Sequence, residues 1–265
     1  MSQTISLKTA DEIAIMREAG RIVARTLQAM REAVKPGVTT LELNRIAETC
    51  LRDHGAIPTF LNYPKPNSPN YPAVITASIN HELVHGIPSG SRFLKDGDII
   101  SLDVGCNYNG FVGDAAITVP VGDISPSVQR LISATEAALA AGIQASRLPN
   151  TIRDVAMAVQ RTAEVAGYSV ALEYTGHGVG QQMHEPPEVP NWWPRNERRS
   201  RIHFQNVTLR AGMTYAIEPM LIAGRNELRE LDDHWTVVTA DRSWCAHIEH
   251  TIAITDGDPV ILTVL

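Results

Sequence analysis

The stretch "TGHGVGQQMHEPPE" (Thr175–Glu188) sets His177 among Gly176, Gly178 and Gly180, with His184 seven residues on against Glu185, Pro186 and Pro187. Glycine at this density costs stability inside a helix or strand, so a backbone this bare lets something approach closely. On these residues alone the two histidines bind that group, titrate beside it or fill space. Four acids elsewhere stand in matched settings. "LKDGDIISLD" (Leu94–Asp103) and "LRAGMTYAIE" (Leu209–Glu218) share a leucine, a basic residue, a glycine and a final acid at corresponding places. "GDAAITV" (Gly113–Val119) stands in the same way beside "IEHTIAI" (Ile248–Ile254). The matches align Asp103 with Glu218 and Asp114 with Glu249.

Taken singly, each acid reads as the solvated face of a half-buried sheet, because acids are rarely buried unpaired. Strand alternation turns Leu102 and Val104 away from Asp103, and it leaves small neighbours (Ser101, Ala116, Ala216, Thr251) on the carboxylate face. If both copies turn that face inward, four carboxylates meet, and buried negative charge at that density requires cations. A carboxylate-rich site with one imidazole suits divalent manganese, iron, cobalt or zinc. Four carboxylates and one histidine exceed a tetrahedral site, but they fit two ions about 3.5–4 Å apart with carboxylates bridging them. His177 is then a fifth ligand, with an ordinary core histidine as the alternative.

The elements that must position these residues are also written twice. Thr9 and Glu12 form a capping box, and Ile13, Met16, Val23, Leu27, Met30 and Val34 follow at helical spacing up to Lys35-Pro36-Gly37. A second box, Thr39 with Glu42, opens a shorter helix through Leu43, Ile46, Ala47, Cys50 and Leu51 that closes near His54-Gly55. Val128, Leu131, Ile132, Thr135, Leu139 and Ile143 mark another long helix, and Ile152, Val155, Ala156, Val159 and Ala163 another short one. Each helix pair precedes or accompanies one copy of the strand phrases. This ordered self-similarity predicts duplication of one unit, with halves at about 9–120 and 125–262 of a single domain spanning 1–265.

Composition narrows the partners. A formal charge of −6 gives no global basic field, which argues against bulk adhesion to DNA or membranes. Three scattered cysteines (Cys50, Cys106, Cys245) form neither a disulfide framework nor a zinc motif, and they fit a reducing compartment. The N-terminus has no apolar signal region, and no stretch reaches the roughly 20 apolar residues of a membrane span. A cytoplasmic protein is expected.

The phrases "SINHELVHGIP", "LKDGDIISLDVG", "GFVGDAAITV", "TGHGVGQQMHEPP", "LRAGMTYAIEPM" and "IEHTIAITDG" together resemble the type I methionine aminopeptidases of peptidase family M24, from about Ser6 to Leu262. The resemblance implies the α+β "pita-bread" fold, in which two pseudo-twofold-related halves build a central antiparallel sheet covered by helices. It implies two divalent ions held by Asp103, Asp114, His177, Glu218 and Glu249, with Asp114 and Glu249 bridging, His177 and Glu218 completing one ion and Asp103 chelating the other. It implies that His85 and His184 are active-site histidines that are not ligands, that Glu218 relays a proton, and that Phe60, Tyr63, Met183 and Trp235 line or adjoin the methionine side-chain pocket. The implied activity is removal of the initiator methionine from nascent chains, with a small second residue preferred, by a monomer.

Two segments depart from the resemblance. "YPKPNSPNYPA" (Tyr63–Ala73) is proline-rich and longer than usual beside the pocket. "NWWPRNERRSR" (Asn191–Arg201) carries two tryptophans and four arginines and reads either as a solvated hairpin or as a transient contact with ribosomal RNA. The N-terminus carries neither the cysteine-rich nor the proline-rich extension of some relatives, so no added docking module is expected. Prolidase and proline aminopeptidase are the rival reading within this fold, and a non-catalytic binding protein is the rival outside catalysis. The five ligands together with both histidines favour the methionine enzyme.

Overall fold

A computed structural model describes residues 4–197, 200 and 202–265. Helix α1 (Ala10–Ala33) starts where the sequence predicts: the Glu12 amide donates to the Thr9 hydroxyl, and the Thr9 amide donates back to the Glu12 carboxylate. Thr39 and Glu42 repeat this at α2 (Thr40–Asp53). Such a cap satisfies amides that a helix start leaves bare and is worth about 1 kcal/mol. The strands β1 (Ile57–Pro58), β2 (Thr76–Ile79), β3 (Glu82–Val84), β4 (Ile99–Tyr108) and β5 (Phe111–Pro120) complete this half.

In the second half, α3 (Pro126–Ala145) starts at Ser125 with proline at its first position, two residues before the apolar pattern becomes visible. Helix α4 (Ile152–Val165) carries a Thr151–Asp154 capping box. The strands β6 (Ser169–Val170), β7 (Thr175–Gly178), β8 (Glu185–Pro190), β9 (Thr214–Ile217) and β10 (Met220–Ile222) follow. The last are β11 (Leu228–Glu230), β12 (Val237–Thr239), β13 (Cys245–His247), β14 (His250–Ala253) and β15 (Val260–Ile261).

Two antiparallel sheets form the centre. Strand β4 pairs with β1, β2 and β5, and the β4–β5 hairpin turns on Asn109-Gly110, both at positive φ as a two-residue hairpin turn requires. The other sheet runs β15-β14-β9-β7-β8. They join where the Glu249 amide donates to the Ala116 carbonyl at 2.9 Å, with the return bond at 3.4 Å. Two smaller three-stranded sheets, β13-β10-β6 and β11-β12-β3, flank this junction.

Helices α1 and α2 pack on the β4–β5 sheet through Val23, Leu27, Leu43, Leu51, Leu102 and Val104, while α3 and α4 cover the second sheet through Leu131, Val155, Val159, Tyr215 and Ile217. At one point α1 meets β5 backbone to backbone: a β-carbon added to Gly113 would lie 2.7 Å from the Gly20 amide nitrogen. The result is the α+β pita-bread architecture, antiparallel sheets flanked by helices in two pseudo-symmetric halves. No helix among the described residues is long and apolar enough to cross a membrane.

The segment after β8 differs from the expected hairpin. Residues 191–197 form no strand: Trp193 is buried and donates to Glu197 at 2.8 Å, and Trp192 donates to the Leu172 carbonyl at 3.1 Å. Both indoles also meet the Phe204 ring, so they serve packing rather than a free aromatic surface. Arg195 pairs with Glu164 at 3.3 Å. The remaining arginines of this segment, Arg198, Arg199 and Arg201, lie outside the described residues.

Candidate metal centre and cavity

Sheet register gathers the acids. Asp103 on β4 pairs with Ala116 on β5, and Asp114, two residues along β5, falls on the same face at a diagonal position. Ala116 is bonded in turn to Glu249. The β14–β9 register, His250 opposite Ile217, places Glu249 beside Glu218 when continued by one residue. On β7, Gly178 pairs with Tyr215, which turns His177 to the same side as Glu218.

The glycines around His177 have a different use from the one their density suggests. A β-carbon on Gly176 would strike the Ala216 carbonyl, and one on Gly178 would strike the Pro186 carbonyl. What approaches closely is the neighbouring backbone of β9 and β8, which seats β7 deep enough to carry His177 into the cluster.

All five expected ligands therefore border one cavity of about 200 Å³. Nε2 of His177 lies 3.6 Å from Glu218 Oε1 and 3.8 Å from Asp114 Oδ2. Ligand atoms of Asp114, His177 and Glu249 all lie within 4.8 Å of one another, as do those of Glu218, His247 and Glu249. Asp103 reaches the cavity but belongs to neither trio.

Asp103, Asp114 and Glu249 are 8%, 2% and 2% exposed, which rules out the solvated-face alternative. Asp103 Oδ1, Asp114 Oδ1 and Glu249 Oε1 are buried with no hydrogen-bond donor. Among the described residues no lysine or arginine pairs with the four acids; only histidines approach them. Burial, reinforced by mutual repulsion, pushes the carboxyls of Asp103, Asp114 and Glu249 well above their usual range, and burial pushes Glu218 up to about 8. Burial lowers His177 to about 3, leaving a neutral imidazole with a free lone pair. Orphaned acceptors, oxygen donors and neutral nitrogen are what divalent ions of intermediate hardness require, so the residues fit a metal pair.

An apolar wall closes another side of the cavity. Phe60, Tyr63, Met183 and Trp235, the expected side-chain pocket, all line it. Trp235 donates to the Pro69 carbonyl at 2.9 Å and stands edge-on to Tyr71 at 5.1 Å. The proline-rich loop thus builds the wall itself, and Lys65 ties it down by pairing with Glu230 and lying 5.3 Å over the Trp235 ring. His184 sits exposed at the rim with Nδ1 at 2.7 Å from the Tyr63 hydroxyl. His85, just after β3, has left-handed backbone, φ +62°, and is held edge-on to Tyr174 and Trp235. A side-chain-bearing residue in this region is strained and persists where its surroundings fix it.

Sequence reasoning missed Tyr71, Thr76, Tyr174 and Thr175 as lining residues, and above all His247. Tyr71 stood unmarked in a proline-rich loop whose path only the tertiary fold reveals. His247 had a signal, since it stands two residues before Glu249 and so shares its side in extended chain.

The sequence matches Metallopeptidase family M24 over residues 14–256. It is 46% identical over 259 residues to methionine aminopeptidase 1 of Bacillus subtilis, covering 98% of this chain and 99% of that one. The structure resembles a methionine aminopeptidase from Thermotoga maritima with a TM-score of 0.91 at 37% identity, covering 99% and 100% of the two chains. A prolidase from Pyrococcus furiosus shares the fold at a TM-score of 0.76 and 21% identity, with 98% of this chain covered but 65% of that one.

Proposed function

Because the chain belongs to metallopeptidase family M24, among the type I methionine aminopeptidases, we propose that it removes the initiator methionine from nascent proteins and prefers a small second residue. The coarser statement, a metal-dependent aminopeptidase, follows from the family and the buried ligand set together. The observation that carries the finer reading is the juxtaposition, in one cavity, of five metal-binding side chains with an apolar wall of Phe60, Tyr63, Tyr71, Met183 and Trp235.

In this reading Asp103, Asp114, His177, Glu218 and Glu249 would together hold two divalent ions. Bound ions of this kind supply a water of lowered pKa and polarise the scissile carbonyl. Glu218, a carboxylate bordering the cavity, carries the proton to the leaving amine. His85 and His184 hold the substrate by hydrogen bonds at the reacting carbonyl and amide. Tyr63 occupies Nδ1 of His184 and so fixes which ring nitrogen faces the guest. The aromatic wall and the Met183 thioether suit an unbranched, polarisable side chain. The chain acts as one catalytic domain, 1–265, whose halves (about 9–120 and 125–262) derive from one duplicated unit; the matched strand phrases support this.

The test is a metal add-back assay. Chelated protein is reloaded with manganese, iron, cobalt or zinc and given Met-Ala-Ser beside peptides with leucine or proline in second place. Cleavage of Met-Ala-Ser well ahead of the others is expected; preference for proline would move the chain to the prolidase reading.

A further inference from the structure

His247 stands in the metal cluster without being one of the five expected ligands. It is 2% exposed, and its Nε2 has no hydrogen-bond partner. A buried imidazole nitrogen in that condition needs a reason, since buried polar atoms are nearly always paired. The groups facing it are Glu218 Oε2 at 3.5 Å and Glu249 Oε2 at 3.8 Å.

Glu218 thus lies between two imidazoles, one for each oxygen: Oε1 is 3.6 Å from His177 Nε2, and Oε2 is 3.5 Å from His247 Nε2. The two rings reach it from different sheets, His177 on β7 and His247 at the end of β13, opposite Met220. The β13 end is rigidly held. The His247 amide donates to Thr118 Oγ1 at 3.1 Å, and the Thr118 hydroxyl donates back to the His247 carbonyl at 2.8 Å. Ser101 bonds Thr118 in turn at 2.9 Å. A β4–β5 side-chain pair therefore sets where this imidazole stands.

We infer that His247 is a positioning residue for the metal centre: Nε2–H donates to Glu218 Oε2, which leaves Oε1 aimed at the ion shared with His177. Moving from 3.5 Å to hydrogen-bond length takes a shift of roughly half an ångström. Carboxylates that ligate through one oxygen are steered by hydrogen bonds to the other, and losing such a partner typically weakens metal affinity about 10–100-fold. This role rests on the metallopeptidase reading above and adds a sixth side chain to it.

The test measures cobalt(II) affinity of chelated protein by calorimetry, alongside turnover of Met-Ala-Ser, for wild type, His247→Ala, His247→Gln and His247→Cys. His247→Ala is expected to bind cobalt about 10–100-fold more weakly and to lose kcat while KM stays close to wild type. His247→Gln, whose amide can donate from a similar place but is a poor ligand, is expected to recover affinity to within about threefold. Unchanged affinity in His247→Ala would overturn the assignment, as would a His247→Gln variant no better than alanine. A thiolate-to-cobalt charge-transfer band in His247→Cys would overturn it too, by showing an inner-ligand position. Wild-type protein that takes up no cobalt would instead sink the metallopeptidase reading itself, so the two failures are told apart.

Discussion

The two halves deliver their acids to the cavity by different means. Asp103 and Asp114 ride on a continuous hairpin of two ten-residue strands, where alternation alone turns both inward. Glu218 and Glu249 sit where strands stop: Glu218 just beyond the end of β9, and Glu249 in the gap between β13 and β14. A regular ladder needs only the right parity, whereas a broken one needs a partner to hold the deviation. For Glu249 that partner is Ala116 of the opposite half. The regular half thus acts as template for the irregular one, and the clustered acids lie along the seam between them.

The harshest way to break this comparison is to remove what the two sides share. Chelation should abolish peptide turnover and divalent add-back should restore it; Asp114→Asn and Glu249→Gln should both prevent that rescue. If elemental analysis found a full metal complement in either variant, the two halves would not feed one centre. His184→Ala tests a rim residue outside the proposed ligand set. It should keep its metal while turnover falls by about 10²–10⁴, and steady-state kinetics with unchanged rates would remove His184 from the chemistry.

Gly113→Ala strikes the regular side only. Its added methyl meets the backbone of α1, so a loss of about 1–3 kcal/mol is expected in denaturant unfolding. A wild-type midpoint would mean that the hairpin is not held by that contact.

A pH series sharpens the contrast on the metal-free protein. Glu218, raised to about 8, keeps its proton in the fold at pH values where the unfolded chain has lost it. Its contribution to stability is therefore present below the ordinary carboxylate range and is lost as pH rises through about 8. Asp103, Asp114 and Glu249 are shifted in the same direction. The buried histidines work oppositely: His85 and His247, lowered to about 4, withdraw stability as pH falls below the ordinary histidine value of about 6.5. Between roughly 6.5 and 8 the acids act alone. The melting temperature of chelated protein should rise as pH is lowered across that interval, and a flat or falling profile there would show that the carboxyls are not crowded. The smallest effect compares caps: Thr39→Ala and Thr151→Ala should each cost about 1 kcal/mol, read as similar shifts in thermal midpoint.

Much of this was legible in the residues. The α1 and α2 starts were readable because capping is local, reaching only three residues along the chain. Asp103 and Asp114 were readable because parity along a strand is a period of two. Glu249 was found through its match with Asp114, although the chain around it is not a continuous strand. What escaped depends on contacts between distant segments. Tyr71 faces the cavity because its hydroxyl lies within bonding distance of the Ile75 and Gly86 carbonyls, an arrangement no local pattern encodes. His247 is obscure for a different reason: one imidazole two places before an acid forms no pattern in itself, and only the fold shows that it faces Glu218 as well.

The contact between Tyr63 and His184 bears on inhibitor chemistry. With the phenol engaged at Nδ1, His184 offers a small molecule its Nε2 alone. A scaffold carrying one well-aimed heteroatom toward that nitrogen should gain more than a forked group that must first prise the phenol away. Replacing Tyr63 by phenylalanine would reverse that order of merit across a compound series.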